Sequence, residues 1–104
     1  MRRPEIVQRI SDSLHRTAPT AQVILYGSEA RGDARPDSDI DVLVLLDGDK
    51  MDWKWNEDII SPLYEIEWST GVSINPMLVL KKQWENRPFK TPFYVNVINE
   101  GVSI

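Results

Sequence analysis

Two uninterrupted runs of β-favouring residues constrain the fold of this chain more than any other feature. Val23–Tyr26 and Val42–Leu46 carry no charged residue, a pattern typical of strands that are buried on both faces of a sheet. The sequence around them alternates in the order helix, strand, helical turn, strand, helix, strand, helix. This alternation predicts an α/β fold in which a small central sheet is flanked by helices.

The other elements are predicted from periodicity and from the positions of prolines. Residues 4–15 predict an amphipathic helix, because a proline suits its first position and apolar residues recur every four positions. Residues 52–69 predict a long helix that Pro62 kinks or breaks. Val72–Leu80 predicts a third strand, and Pro76 within it indicates an edge or a bulge of the sheet.

Length and composition bound the classes of function. The 104 residues predict a single domain that spans positions 1–104. The absence of cysteine excludes disulfides, thiol catalysis and cysteine-based zinc sites, and the one histidine, His15, cannot supply a histidine-rich metal centre. Any bound metal must therefore be held mainly by oxygen atoms, as is typical of Mg²⁺, Mn²⁺ and Ca²⁺.

The charge balance disfavours nucleic-acid binding as the main task. Sixteen acidic residues against twelve basic ones give a formal net charge of −4, so the chain lacks a broad positive field for a nucleic-acid backbone. No apolar run is long enough to span a bilayer, and no apolar segment of a secretory signal follows the basic start. We therefore expect a cytoplasmic protein that binds neither membranes nor nucleic acid.

A pair of carboxylates opens the second predicted strand. Asp39 and Asp41 are two residues apart, and side chains at this spacing leave the same face of a strand. Two neighbouring carboxylates repel each other unless a cation lies between them. Carboxylate oxygens, together with a substrate phosphate, are the ligands that Mg²⁺ prefers, so this pair is a candidate magnesium site.

A glycine and a serine end the first predicted strand. Free backbone N–H groups after Gly27-Ser28 predict an anion pocket, which a glycine lets a phosphate approach closely. The Ser28 hydroxyl is a further donor. Arg31 is close enough in sequence to bind the same anion, or else to fix the loop through Asp33 or Asp37. A phosphate-binding loop that faces a metal-binding pair predicts phosphoryl or nucleotidyl transfer.

The two motifs together resemble a known signature. Residues 27–32 read Gly-Ser-Glu-Ala-Arg-Gly, and residues 38–44 read Ser-Asp-Ile-Asp-Val-Leu-Val. This resembles the signature of the nucleotidyltransferase superfamily that includes DNA polymerase beta, and in particular its minimal bacterial and archaeal members. The resemblance implies the nucleotidyltransferase fold, with a small mixed sheet, and transfer of a nucleoside monophosphate, AMP above all, to a hydroxyl.

The same resemblance implies roles for individual residues. Gly27 and Ser28 would hold the phosphates of ATP or another nucleoside triphosphate, with Arg31 beside them. Asp39 and Asp41 would be the catalytic pair that binds Mg²⁺ or Mn²⁺. Minimal members often act with a separate helical partner of the HEPN type, and several are antitoxins that adenylylate or cover that toxin. A homodimer is a further expected possibility.

One departure from the family pattern leaves the activity open. The family usually has a third carboxylate on a later strand, where this chain has Ser73 and Asn75. Neither can act as a base, although Asn75 offers a weak oxygen ligand, and Glu65 or Glu67 remains an alternative third acid. The chain is therefore predicted to be an enzyme or, alternatively, a weak or inactive nucleotide-binding module that neutralises its partner by binding. An α/β domain without any ligand is the third hypothesis.

Aromatic residues are numerous for so small a chain, and they predict either core packing or contact with a partner. The four tryptophans are Trp53, Trp55, Trp68 and Trp84. A docking patch is predicted at Phe89, Phe93 and Tyr94.

Overall fold

The structure is a computed structural model that describes residues 3–86 and 90–104. Its elements confirm the alternation predicted from the sequence. They follow one another as α1 (Pro4–Thr17), β1 (Gln22–Tyr26), α2 (Gly27–Arg31), β2 (Ile40–Leu46), a π-helical turn (Asn56–Ile60), α3 (Ser61–Thr70), β3 (Ile74–Leu80), α4 (Lys81–Glu85), α5 (Pro92–Glu100) and β4 (Val102–Ser103).

The strands form one mixed sheet in the order β3-β2-β1-β4. β1 is antiparallel to both of its neighbours, whereas β2 and β3 are parallel. A parallel pair needs a long crossover connection, which the π-helical turn and α3 provide. The mixed α/β fold with a flanked central sheet is thus confirmed, and the two-residue strand β4 is an addition that the sequence did not predict.

Helices cover both faces of this sheet. α1, the π-helical turn and α3 cover one face, and α4 and α5 cover the other. The first cluster of buried side chains includes Val7, Ile10, Leu14, Val23, Leu25, Val42, Val44 and Leu63. The second consists of Ile24, Leu43, Leu45, Trp84 and Val97. Because neighbouring residues of β1 and β2 enter opposite clusters, both strands are buried on both faces, as their continuous apolar runs predicted.

Of the two interior prolines, Pro76 has the effect that was expected of it, whereas the helix is not broken at Pro62. Before Pro62 the helix widens into the π-helical turn, in which the Ser61 N–H donates to the Asn56 carbonyl five residues earlier. The predicted interruption is therefore a change of helical pitch, and α3 continues from it directly. Pro76 lies on β3, which is an edge strand paired with β2 alone, and its missing N–H breaks no ladder there.

The aromatic residues divide between core and surface. Trp84 is buried, and the rings of Phe93 and Tyr94 pack against it with centroids 6.1 and 4.7 Å away. Phe93 and Tyr94 are half-buried and pack against the core between α5 and the sheet, and the docking patch stays a prediction; Phe89 lies outside the described residues. Trp53 and Trp68 are 79% and 89% exposed. No helix in the described ranges has the length and apolarity needed to cross a membrane.

Candidate active site

Three polar side chains lie side by side where β1 ends and β2 and β3 begin. The strand register places Tyr26 opposite Asp41, and Asp41 opposite Asn75. Leu43 packs against α4 and α5, and Asp41, two residues before it on the same strand, points to the same face of the sheet. The three polar side chains therefore lie on the face that α4 and α5 cover. β3 thus brings Asn75 to the position at which a third functional group was expected.

The two predicted carboxylates converge on one atom. Asn75 Nδ2 donates to Asp39 Oδ2 at 2.9 Å and to Asp41 Oδ1 at 3.2 Å. Asp41 belongs to the ladder of β2, whereas Asp39 immediately precedes the strand. The residue after Asp39 is Ile40, and its N–H donates to the Ser73 carbonyl at 2.9 Å. The spacing argument that placed both acids on one side is therefore consistent with the structure.

Gly27 brings the turn after β1 close to the Asp41 side chain of this pair. Its φ of +76° lies in the left-handed region that favours glycine. A Cβ atom at this position would lie 2.6 Å from Asp41 Oδ2, well inside van der Waals contact. Both conformation and space therefore require glycine, and the Gly27-Ser28 turn and the carboxylates form one continuous site.

The donor atoms at this site fit a divalent cation of the Mg²⁺ type. The carboxylate oxygens of Asp39 and Asp41 face one another, and the amide N–H group of Asn75 lies between them. Hard oxygen ligands of this kind are what Mg²⁺ and Mn²⁺ prefer. Residues 3–86 and 90–104 contain no cluster of three or more acidic, histidine or cysteine side chains suited to a metal. Asp39 and Asp41 would hold the cation, and the Asn75 amide oxygen would join them only after the amide turns over, because Nδ2 faces both carboxylates in this structure.

The alternative third acids are engaged elsewhere. Glu67 Oε1 accepts a hydrogen bond from the Ile74 N–H at 2.7 Å and so fixes the start of β3. Glu65 lines a cavity between α1 and α3, on the opposite face of the sheet from the aspartates. Neither forms a metal-binding group with Asp39 and Asp41.

A cavity of about 410 Å³ opens beside Gly27, between α2 and α5. Its walls are largely apolar, with an amide and an ion pair at the rim. The residues that line it are Tyr26, Gly27, Arg31, Phe93, Asn96, Val97 and Glu100. Local sequence patterns could not reveal this cavity, because four of its seven lining residues come from α5, far along the chain from Gly27. Its contact with Gly27 makes it an extension of the site.

Comparison with known proteins agrees with this geometry. The sequence profile of the family described as the nucleotidyltransferase domain matches residues 7–100. The chain belongs to this family. The family that the two motifs predicted is thereby confirmed, and the match includes the Gly27-Ser28 turn and both aspartates.

Individual relatives of this nucleotidyltransferase domain have sequence identities of 17% to 35% with it. A candidate protein adenylyltransferase from Methanocaldococcus jannaschii is 35% identical over 80 residues, which cover 77% of this chain and 73% of that protein. A toxin–antitoxin crystallised with AMP-PNP shares the fold with a TM-score of 0.61 at 18% identity, over 92% of this chain and 69% of that chain. A candidate nucleotidyltransferase from Sulfolobus solfataricus has a TM-score of 0.50 at 17% identity, over 95% of this chain and 76% of that chain.

Arg31 ties α2 of the nucleotidyltransferase domain to α5. Its Nε lies 3.3 Å from Asp33 Oδ2, and its Nη1 lies 3.2 Å from Glu100 Oε2. The hydrogen bond with Glu100, followed by that with Asp33, raises the pKa of Arg31 above its ordinary value. Of the two predicted arrangements, the structure has the one in which Arg31 fixes the loop through Asp33. Its role at a phosphate remains a prediction.

Arg3 and Glu29 are site residues that the sequence did not single out. Glu29 follows Ser28 directly and is completely buried, and its carboxylate pairs with Arg3 at 2.6 Å. A glutamate in a short, mostly polar helical turn gives no local signal of burial. Only the fold brings Arg3, 26 positions away in the sequence, close to it.

The ionisation of Tyr26 offers a test of this geometry. Burial, and then the negative charge of Asp41, raise the pKa of the Tyr26 phenol above its ordinary value of 10.0. The phenolate absorbance of Tyr26 is obtained as the difference between the wild type and Tyr26→Phe, and we expect it to titrate above this value. Asp41→Asn should lower the midpoint of the titration but not return it to the ordinary value, because the burial remains. Because the folded state holds this proton more tightly than the unfolded state, the free energy of unfolding should decrease as the pH rises above about 10. An unchanged midpoint in Asp41→Asn would show that the two side chains do not interact.

Proposed function

We propose that this domain transfers AMP from ATP to a hydroxyl group, with Mg²⁺ or Mn²⁺ held by Asp39 and Asp41. The observation that carries the proposal is that both carboxylates accept a hydrogen bond from Asn75 Nδ2 and that Asp41 lies against the Gly27 turn. The name of the archaeal relative as a candidate protein adenylyltransferase, and the AMP-PNP in a structure of the same fold, favour an adenine nucleotide as substrate.

Each part of the site has a separate role in the proposed reaction. The Gly27-Ser28 turn binds the β- and γ-phosphates, and the cavity beside Gly27 receives the nucleoside. Asp39 and Asp41 would hold the cation, which when bound would offset the negative charge that develops on the phosphates during transfer. The acceptor oxygen forms a bond to the α-phosphorus as the bond to the bridging oxygen breaks. Pyrophosphate leaves, and the proton of the hydroxyl passes to water.

Because a third carboxylate is absent from this site, we expect a slow enzyme. Asn75→Asp, which supplies this carboxylate, should accelerate it. General-base assistance contributes about 10²–10⁴-fold to such steps, and an amide cannot accept the proton. We expect Asn75→Asp to raise the rate of AMP transfer by ~10²-fold. Three adjacent carboxylates repel one another, so the variant should also melt at a lower temperature without a divalent cation and recover when Mg²⁺ is added.

The same chemical change at Asn99, which is exposed on α5, is the matched control for Asn75→Asp. Asn99→Asp should alter neither the rate nor the dependence of melting on Mg²⁺. If Asn75→Asp also leaves both unchanged, Asn75 does not occupy the position of a third functional group.

The direct test of the proposed function uses ATP labelled at the α-phosphate. We expect label to be transferred to a candidate acceptor protein in the presence of Mg²⁺, with release of pyrophosphate, and no transfer after chelation of the metal. Label at the γ-phosphate should not be transferred, because the reaction breaks the bond between the α- and β-phosphates. Transfer of the γ-label would show that the activity is that of a kinase.

Neutralisation of a partner by binding is the second candidate function. Two observations favour it: Asn75 in place of an acid, and the highly exposed Trp53 and Trp68. The partner would be a helical toxin of the HEPN type, as the family resemblance implies, and the solved toxin–antitoxin with the same fold supports a toxin as partner. Coexpression distinguishes the candidates. If Asp39→Asn with Asp41→Asn still neutralises the toxin, binding is sufficient; if neutralisation is lost while the complex still forms, AMP transfer is required.

A further inference from the structure

Arg3 joins three segments that meet at the candidate site. Its backbone N–H and its Nε donate to the two oxygens of Glu29, at 2.9 and 2.6 Å. Its Nη1 donates to the Ser38 carbonyl at 2.8 Å and, more weakly, lies 3.4 Å from the Pro36 carbonyl. One side chain thereby connects the start of α1 to α2 and to the loop that leads into β2.

The connection is well protected from solvent. The Glu29 side chain is 0% exposed and that of Arg3 is 13% exposed. A buried carboxylate is tolerated when it is paired and hydrogen-bonded, and a guanidinium can make a forked contact with a carboxylate while it donates to further acceptors. The pair therefore holds one geometry, in contrast to ion pairs at the surface, which exchange freely with water.

The two ends of this connection are adjacent to the two halves of the candidate site. Glu29 directly follows Ser28 of the turn, and Ser38 directly precedes Asp39. Asp41 is held by the strand ladder, but Asp39 precedes the first residue of β2. The Arg3 contact with the Ser38 carbonyl thus fixes the backbone on the side of Asp39 that the sheet does not hold.

We propose that Arg3 is a positioning residue that sets the place of Asp39 relative to the Gly27-Ser28 turn through its simultaneous contacts with Glu29 and the Ser38 carbonyl. The inference rests on the proposed function, since it concerns the same cation. It adds a residue from outside the part of the chain that the family profile matches, residues 7–100. Arg3 does not touch the reacting atoms, and it acts through Asp39.

The test measures binding of Mn²⁺ to the protein in the presence of AMP-PNP, by the electron paramagnetic resonance signal of free Mn²⁺, with the Mn²⁺ that AMP-PNP binds by itself measured without protein and subtracted. Arg3→Lys keeps the positive charge beside Glu29 but lacks the planar fork that also reaches the Ser38 carbonyl. We expect the dissociation constant for Mn²⁺ to rise about 10–100-fold, as is typical when groups that orient metal ligands are lost. The rate of AMP transfer should fall in parallel, with a change of less than about 3-fold in the KM for ATP.

A second variant excludes simple destabilisation as the cause. Arg3→Met combined with Glu29→Gln removes both buried charges at similar volume, which proteins often tolerate. It should bind Mn²⁺ as weakly as Arg3→Lys while its circular dichroism spectrum and cooperative melting show a folded protein. Arg9→Lys, on the exposed side of the same helix, is the control and should bind Mn²⁺ like the wild type.

Each outcome decides the proposal. If Arg3→Lys and the double variant melt at lower temperatures but the folded proteins bind Mn²⁺ with wild-type affinity, Arg3 has only a structural role and the proposal is wrong. If the wild type itself binds no Mn²⁺ with AMP-PNP, or if Asp39→Asn with Asp41→Asn binds it equally well, the proposed function is wrong and the role of Arg3 is refuted with it.

Discussion

Replacement of Asp39 and Asp41 together by asparagine is expected to reduce AMP transfer by ~10³-fold or more, the scale on which charge stabilisation acts in phosphoryl transfer. The reason is that the two carboxylates supply the charge that holds a divalent cation, and asparagine is a neutral and weaker ligand of similar shape. The fold should not suffer. The substitutions remove the repulsion between two acids that share the single Asn75 donor, so the melting temperature without metal should be unchanged or higher.

The transfer rate and the melting curve of the double variant are to be measured on the same preparation. Asp37→Asn is the matched control, because Asp37 is exposed and lies two residues before Asp39 in the same loop. The control should keep wild-type activity. Equal activity of the double variant and the wild type would mean that the chemistry takes place elsewhere on the protein.

Substitution of Gly27 by alanine should abolish most of the activity at a moderate cost in stability. The positive φ angle of +76° is unfavourable for alanine by about 1–2 kcal/mol. The new Cβ would lie 2.6 Å from Asp41 Oδ2, so this carboxylate has to move. A displacement of about 1 Å at a reacting centre can cost ~10²-fold in rate, and we expect a loss of at least that size.

Gly71 provides a matched control for Gly27→Ala. Its φ of +72° imposes the same strain on alanine, but among the described residues no atom beyond those of its chain neighbours lies within 4 Å of the position of its Cβ. Both variants should therefore lose a similar free energy of unfolding, about 1–2 kcal/mol, and only Gly27→Ala should lose activity. If Gly71→Ala loses activity to the same degree, the effect of Gly27→Ala comes from general destabilisation and not from displacement of Asp41.

The parts of the site that the sequence predicted depend on short-range geometry. Asp39 and Asp41 were placed together because side chains two residues apart leave the same side of a strand. The Gly27-Ser28 turn was expected because a glycine directly follows an apolar β-favouring run. The sheet itself followed from apolar runs that only a buried strand accommodates. In each case the deciding residues are close in sequence, so local rules are sufficient.

The parts that were missed depend on contacts between distant segments. The Arg3–Glu29 pair joins residues 26 positions apart, and the Arg31–Glu100 pair joins residues 69 positions apart. The cavity beside Gly27 exists only because α5 packs over the end of β1. No periodicity encodes such neighbours. The packing of Phe93 and Tyr94 against Trp84 was missed for the same reason, since these rings meet only in the folded chain.

The most direct test of the central claim is a crystal structure of the protein with Mn²⁺ and AMP-PNP, in which anomalous scattering locates the metal. We predict a Mn²⁺ peak bound by carboxylate oxygens of both Asp39 and Asp41 and by a phosphate of the nucleotide, with the triphosphate against the Gly27-Ser28 turn. A peak away from these two side chains, or a nucleotide that does not touch the turn, would contradict the account.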